Sequence, residues 1–100
     1  LREVIEENID DTSFSVETLG EKMCLSRVQL YRKTKALTGY SPNEYIRTAR
    51  LKKASYLLAT TDSTVSEIAY SVGFSSPSYF AKCYKEYFGT SPASRKKIVG

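Results

Sequence analysis

The chain has 100 residues, 41% of them hydrophobic, which is enough for one compact unit or for two small subdomains that share a helix. No apolar run approaches the roughly 18 residues of a membrane span, and no signal-peptide pattern opens the chain. Two cysteines without secretory features argue against a disulfide framework and predict a reducing, cytoplasmic setting. The sequence begins at Leu1 without an initiator Met, which indicates a segment of a longer protein.

The net charge of +4 conceals a strong asymmetry along the chain. Residues 1–25 carry seven acidic and two basic side chains, a net charge of −5. Residues 26–100 carry 13 basic and four acidic side chains, a net charge of +9. Such segregation predicts that one face of the protein meets a polyanion while another avoids it.

Two short helices are predicted before the basic region. Residues 1–9 form the first, whose apolar stripe consists of Leu1, Val4, Ile5 and Ile9. Residues 10–13 break it, and Ser15 caps the second helix, with Phe14 and Leu19 at the hydrophobic-staple positions. The inner face of the second helix consists of Val16, Leu19 and Met23.

The most informative stretch runs from Ser26 to Gly39. Ser26 and Gln29 form a capping box, and Gly39 is placed to end the helix in the left-handed conformation. Its inward positions are Leu30, Thr34 and Leu37. Its remaining positions are cationic or aromatic: Arg27, Tyr31, Arg32, Lys33 and Lys35. A helix, a tight turn and a second, cationic helix are typical of a helix-turn-helix, whose second member enters the major groove of DNA.

A long helix is predicted next. Ser41, Pro42 and Glu44 supply a cap, a proline at the first helical position and an acid three residues past the cap. The helix is expected to run to about Ala59, a rod of roughly 27 Å at about 1.5 Å per residue. Its expected buried residues are Tyr45, Ile46, Ala49, Ala54, Leu57 and Leu58. Residues 60–63 form a loop.

The helix-turn-helix pattern then repeats. Thr64 and Glu67 form a capping box, and residues 65–75 match residues 16–26 at an offset of 49. From Phe80 onward the offset is 50, so one residue has been inserted just after Ser75. Pro77 accounts for it, because proline prefers the first helical position and moves the cap to Ser76. A final short helix opens at residues 91–92, and residues 95–97 are all basic.

The duplication predicts an all-α, seven-helix fold with two helix-turn-helix subdomains, residues 1–40 and 61–100, joined by a linker helix over 41–60. Successive major-groove segments on one face of B-DNA repeat every ~34 Å. A rod of the predicted length suits two recognition helices held at that spacing.

The chain resembles the DNA-binding domains of the AraC/XylS family of bacterial transcription regulators over essentially its whole length. The specific motifs are L-S-x-x-x-L-x-R-x-x-K-x-x-T-G (25–39), R-L-K-K-A (50–54), I-A-x-x-V-G-F (68–74), S-Y-F-x-K-x-Y-K (78–85) and F-G-x-S-P (88–92). The run from Leu30 to Arg47 further resembles output domains of hybrid two-component sensors. The family resemblance implies that the activating stimulus acts on a receiver or effector domain that would lie before Leu1.

The resemblance implies a monomeric domain whose two recognition helices enter successive major grooves of double-stranded DNA. Carried over by position, the base-reading candidates are Arg27, Val28, Tyr31 and Arg32 in the first helix and Ser76, Ser78 and Lys82 in the second. The candidates for phosphate contact are Ser26, Lys35, Arg47, Ser75 and Lys85, and Arg27 is a candidate for this role as well. Arg32 is the first choice for reading a base, because its guanidinium fits guanine O6 and N7.

The sequence departs from the family pattern in two places. Cys24 stands where the turn usually has glycine, as Gly73 does in the second copy, and costs about 1 kcal/mol if the left-handed conformation is kept. The second recognition helix has Lys82 as its only outward cation among the base-reading candidates. We therefore expect the second helix to anchor the protein on DNA more than it specifies a sequence.

Other functions remain open at this stage. The chain has no histidine, no glycine-rich phosphate loop and no clustered metal ligands, so neither an enzyme nor a cofactor is expected, and Cys83 is predicted to be a buried structural thiol. A basic protein-interaction module that binds an acidic partner is the main alternative. In a variant of the DNA-binding hypothesis, one helix-turn-helix reads DNA and the other contacts RNA polymerase or a neighbouring protomer. No membrane contact is expected.

Overall fold

The computed structural model describes residues 2–8 and 15–96, and all regular structure within them is helical. The helices are α1 (Arg2–Asn8), α2 (Val16–Met23), α3 (Arg27–Thr38), α4 (Pro42–Thr60), α5 (Val65–Ser71), α6 (Pro77–Phe88) and α7 (Pro92–Arg95). The predicted all-α, seven-helix fold is confirmed. The molecule is elongated, with principal extents of 49 × 23 × 21 Å.

The helices begin where their capping residues predict. Side-chain caps and reciprocal capping boxes are present at Ser15, Ser26, Ser41 and Thr64, and Ser76 caps α6 by accepting from the Tyr79 amide. Gly39 and Gly89 end α3 and α6 at φ values of 79° and 80°. The inserted Pro77 occupies the first position of α6, as the change of offset predicts.

One hydrophobic core lies under the first half of the chain. Its buried members are Ile5, Val16, Leu19, Leu30 and Ile46, with Val4, Met23, Leu25, Tyr45 and Ala49 packed against it. The predicted inner face of α2 is therefore confirmed. The staple residue Phe14, the stripe residues Leu1 and Ile9, and the breakers at 10–13 lie outside the described residues.

A second core lies under the other half and is rich in aromatic rings. It buries Leu51, Ala54, Leu58, Ile68, Ala69, Val72, Phe74, Phe80, Cys83 and Tyr84. The Phe80 ring lies 5.2 Å from that of Phe74 and 5.7 Å from that of Tyr84 between centroids, close enough for favourable edge and tilted contacts. Cys83 is buried, as predicted.

The linker helix α4 contributes to both cores. It has 19 residues, one more than expected, and is about 28 Å long. Ile46, Ala54 and Leu58 are buried as predicted, whereas Tyr45, Ala49 and Leu57 are only partly buried. Thr48 and Leu51 are buried although the sequence pattern did not indicate it. The reason is that α4 packs against different neighbours along its length, so no single stripe describes its buried face.

Leu37 was predicted to face inward, and this is wrong: its side chain is 66% exposed. The buried residues of α3 are Leu30 and Thr34, and Thr38, one turn further on, is half-buried. Steps of four residues turn slightly more than one helical turn, so the buried line drifts around the helix away from Leu37. The Thr38 hydroxyl, which donates to the Thr34 carbonyl at 2.7 Å, lies where the chain turns into α4.

Candidate nucleic-acid interface

The two helix-turn-helix motifs, α2–α3 and α5–α6, close their turns with the same backbone hydrogen bonds. In the first, the Leu25 amide donates to the Gly20 carbonyl at 2.9 Å. In the second, the Phe74 amide donates to the Ala69 carbonyl at 3.0 Å, at an offset of 49 for both partners. This bond is the helix-ending pattern that needs a left-handed residue before the donor. The duplication seen in the sequence is therefore also a duplication of backbone geometry.

The left-handed residue differs between the two turns. Gly73 has φ 97°, whereas Cys24 adopts φ 55°, which no other non-glycine residue in the described part of the chain does. The turn thus keeps the conformation that glycine would favour, and Cys24 bears the steric cost of its Cβ. The Cys24 side chain is exposed and the thiol is free.

The outward face of α3 carries its predicted contact residues. Arg27, Val28, Tyr31, Arg32 and Lys35 are all exposed, with 60% of Val28 and 49% of Tyr31 accessible. Exposed apolar and aromatic side chains among cations can contact base edges and thymine methyl groups in a major groove. This face is therefore available to a partner along its whole length.

The side chain and the amide of Ser26 both form hydrogen bonds within the cap of α3. Its hydroxyl accepts from the Gln29 amide at 3.2 Å, and its amide donates to the Gln29 side-chain oxygen at 2.9 Å. The amides of Arg27 and Val28, in the first turn, have no intrahelical acceptor, as at the start of any α-helix. A phosphate at this helix end would therefore be bound by the amides that follow Ser26.

Arg27 has an intramolecular partner that the sequence analysis did not identify. Its guanidinium Nη1 lies 3.6 Å from Oε1 of Glu17, in the first turn of α2, and both side chains are mostly exposed. Backbone and Ser15 hydrogen bonds, aided by the Arg27 charge, hold the pKa of Glu17 below its ordinary value. Such an exposed pair is weak, so it orients Arg27 without preventing it from binding a phosphate.

The face of α6 is less cationic. Ser78, Lys82 and Lys85 are exposed on it, Ser75 is exposed in the turn before it, and the cap Ser76 is half-buried. The helix has two basic residues, against four in α3 over the same length of 12 residues. The two recognition helices therefore share a framework and differ in charge.

A cleft of about 460 Å³ brings together two predicted phosphate-contacting residues from different parts of the chain. Arg47 of α4 lines it on one side and Ser75 of the second turn on the other. Asn43 and Tyr79 line it too, and the sequence analysis did not identify either as a functional residue. Asn43 and Arg47 are four residues apart and therefore lie on one face of α4. This spacing could have identified Asn43 in the sequence as a neighbour of Arg47.

Within residues 2–8 and 15–96, no helix is long and apolar enough to cross a membrane. In the same part of the chain, no three histidine, cysteine or acidic side chains are grouped as metal ligands would be.

Comparison with known proteins identifies the family. A family model described as a helix-turn-helix domain matches residues 19–97. The C-terminal domain of the two-component response regulator yesN from Fusobacterium nucleatum superposes with a TM-score of 0.88 at 33% identity, covering 96% of this chain and 93% of that one. The chain belongs to the AraC-type DNA-binding domains.

Two further relatives indicate the kinds of protein in which similar segments occur. The DNA-binding domain of AdpA, solved in complex with a target DNA, superposes with a TM-score of 0.83 at 35% identity and covers 88% of this chain and 78% of its own. Histidine kinase P4 from Formosa agariphila is 40% identical over 90 residues, which are 90% of this chain and 7% of the kinase. The chain also spans about a third of the length of several curated relatives that are named as transcriptional or operon regulators.

Proposed function

We propose that this chain is the output domain of a bacterial transcription regulator and binds double-stranded DNA sequence-specifically, with α3 and α6 in successive major grooves. The observation that carries the proposal is the pair of identically closed turns, each followed by a helix with an exposed polar face. The length of α4, about 28 Å, suits recognition helices spaced by one DNA turn of ~34 Å. In this proposal, residues 1–40 and 61–100 are the two helix-turn-helix subdomains, and 41–60 is the linker helix that joins them.

We assign the roles unequally. Arg32 reads a guanine through its bidentate guanidinium, with Val28, Tyr31 and Arg27 contacting neighbouring bases. In α6, which we assign fewer base contacts than α3, these contacts are made by Lys82, Ser76 and Ser78. The phosphate contacts are assigned to the amides after Ser26, to the turn at Ser75 and to Lys35, Arg47 and Lys85. The greater exposed charge of α3 supports this division.

The relatives of this chain support a regulatory setting. The chain is similar to a segment that makes up 7% of a relative named as a histidine kinase, and to the C-terminal domain of a two-component response regulator. We propose that a receiver or effector domain in the parent protein controls this domain on the cytoplasmic side. RNA polymerase is the proposed further partner of the DNA-bound form.

The proposal is tested by selecting duplexes from a randomised 30-base-pair library with the chain and measuring binding of the selected duplex by fluorescence anisotropy. With six or so phosphate contacts, log K should fall against log salt with a slope near −5. A scrambled duplex of the same composition is the control, and we expect it to bind more weakly at every salt concentration.

Footprinting on the selected duplex separates the alternatives. Protection of two adjacent major-groove segments supports the proposal. Protection of a single segment would show that only one helix-turn-helix reads DNA. Equal affinity for the selected and scrambled duplexes would contradict sequence-specific binding and favour a basic module for an acidic protein partner.

A further inference from the structure

The ion pair between Glu17 and Arg27 joins the first turn of α2 to the first residue of α3. Arg27 is one of the proposed DNA contacts, and Glu17 is an acid on the helix that precedes the recognition helix. The second motif has Ser66 and Pro77 at the equivalent positions, so it cannot form such a pair. The pair is therefore a feature of the more cationic motif alone.

The geometry of the pair leaves Arg27 able to change partners. Its Nη1 atom lies 3.6 Å from Oε1 of Glu17, which is longer than the about 2.7–2.9 Å of a charge-assisted hydrogen bond. The guanidinium carries five N–H donors, and 75% of the Arg27 side chain is exposed. A second acceptor can therefore approach the guanidinium and displace Glu17.

The Glu17 carboxylate keeps its charge and its place. Glu17 follows the capped start of α2, where Ser15 and Thr18 form a reciprocal capping box. Hydrogen bonds to its own backbone and to Ser15 hold the pKa of Glu17 below its ordinary value of 4.5, and the Arg27 charge adds to them. Glu17 is therefore anionic at neutral pH and lies at the end of α2 where the helix dipole favours a negative charge.

Both partners line a cleft of about 320 Å³ beside the first turn, together with Glu21, one helical turn after Glu17. Leu25 and Arg27 bring this cleft to the start of α3, where the amides after Ser26 are assigned to a phosphate. An acceptor oxygen of DNA at this end of α3 would bind the guanidinium as the Glu17 carboxylate does. DNA and Glu17 therefore compete for one cation.

We infer that Glu17 is an internal competitor for Arg27: it holds the guanidinium in the free protein, and Arg27 contacts DNA by exchanging Glu17 for an acceptor on the duplex. The inference rests on the proposed function. The exchange gives up an ion pair as it makes a DNA contact, so Glu17 lowers the affinity that Arg27 would otherwise add. Because the pair is exposed and weak, Glu17 tunes the affinity without blocking binding.

The experiment measures binding of the selected duplex to the unmodified chain, to Glu17→Gln, to Arg27→Gln and to the variant with both substitutions. Glu17→Gln keeps the size of the side chain and removes its charge, so we expect binding about threefold tighter, the value of one exposed ion pair. Arg27→Gln should bind more weakly than the unmodified chain. In the Arg27→Gln background, Glu17→Gln should change the affinity by less than about 1.5-fold, because no guanidinium remains to be released.

Two matched variants separate the ion pair from a general repulsion of DNA. Glu21→Gln removes the same charge from the same helix, at a residue that is not the ion-pair partner of Arg27. Glu17→Asp keeps the charge but withdraws the carboxylate from Arg27 by one methylene. We expect Glu21→Gln to bind as the unmodified chain does and Glu17→Asp to show part of the gain in affinity. Far-UV circular dichroism confirms that each variant is folded.

The outcomes separate the inference from the function on which it rests. Equal gains from Glu17→Gln and Glu21→Gln that persist in the Arg27→Gln background would show that these acids only repel DNA, and the inference would be wrong. Weaker binding of Glu17→Gln would show that Glu17 supports the Arg27 contact instead of competing with it, which also overturns the inference. The same holds if Arg27→Gln binds as tightly as the unmodified chain. If no duplex is bound selectively, the proposed function itself fails.

Discussion

The first and second helix-turn-helix motifs close their turns with equivalent hydrogen bonds, yet the helices that follow present different surfaces. Four basic side chains lie on α3, and two lie on α6. The equivalent features are those that determine backbone geometry: caps, turn bonds and buried positions. The comparison shows that a duplicated framework can be kept while its outer face changes, because the outer positions contribute little to folding.

The two cores differ as well. Leu30 and Phe80 are equivalent and both fully buried, but the second core surrounds Phe80 with further rings. At the next equivalent pair, the buried Thr34 hydroxyl has no hydrogen-bond partner within the described residues, whereas the Tyr84 hydroxyl donates to Ser55 Oγ at 3.3 Å. Among the described residues, the second core therefore has more contacts between aromatic rings and a hydrogen-bonded hydroxyl at this position, although its recognition helix carries less charge.

The largest expected effect is the loss of stability when the equivalent core side chains Leu30 and Phe80 are truncated to alanine. Phe80→Ala should lower the free energy of unfolding by about 3–5 kcal/mol, and Leu30→Ala by about 2–5 kcal/mol, because each leaves a cavity where a fully buried side chain was. Within these ranges we expect Phe80→Ala to cost more, given its ring contacts. Urea titrations followed by circular dichroism measure both, and a larger loss for Leu30→Ala would reverse our ranking of the cores.

Next in size is the difference between the two recognition helices. Arg32→Ala should weaken binding to the selected duplex by about 1–3 kcal/mol and relax the preference at one base pair. Lys82→Ala should weaken binding more evenly across sequences, because we assign α6 mainly to anchoring. A panel of single-base-pair variants of the duplex provides the measurement. Equal, sequence-independent losses of affinity from both substitutions would contradict the proposed division between a base-reading α3 and an anchoring α6.

The left-handed residue of the first turn can be replaced by glycine, the residue at the equivalent position of the second turn. Cys24→Gly should raise the free energy of unfolding by about 1 kcal/mol, because glycine adopts φ 55° without a Cβ penalty. For a chain of this size, that is a rise of about 4–8 °C in Tm. Cys24→Ala is the matched control: it removes the thiol but keeps the Cβ, so no rise is expected. A comparable rise in the control would assign the effect to the thiol instead.

The smallest expected effect concerns the helix caps. The capping box of α5 ends in Glu67, while that of α2 ends in the neutral Thr18. Hydrogen bonds from the Thr64 amide and side chain hold the pKa of Glu67 below its ordinary value of 4.5. Since the folded-state pKa is the lower one, this cap stabilises the protein above pH 4.5, and the contribution is lost as the pH falls through the folded-state pKa.

Carboxyl NMR titration of the folded chain tests this directly. The Glu67 resonance should titrate at a pH below 4.5, the ordinary pKa of a glutamate side chain. In Glu67→Gln, this part of the pH dependence of stability should disappear. A Glu67 pKa at or above 4.5 would show that the cap does not favour the ionised form.

The features predicted correctly from the sequence are those set by nearby residues. Ser26 with Gln29, Thr64 with Glu67, and Pro77 after Ser76 each act within one helical turn, so spacing alone indicates them. The family resemblance added the expected roles of the exposed residues, which remain proposals.

The features that the sequence did not reveal depend on how distant segments meet. Leu37 is exposed because the buried line drifts along α3, and Leu51 is buried because α4 also meets the second core. The partner of Arg27 lies ten positions away on another helix, and the cleft joins residues more than 25 positions apart. No periodicity within one helix contains that information.

The sharing of α4 between two cores has a consequence for how the molecule opens. Ile46 belongs to one core and Leu51, five residues later, to the other. Either core can open locally while the other core still holds α4. The central amides of α4 should therefore become accessible to deuterium only when both cores have opened. Hydrogen exchange should therefore be slowest at the middle of α4, faster in the helices that belong to one core alone, and different between the two ends.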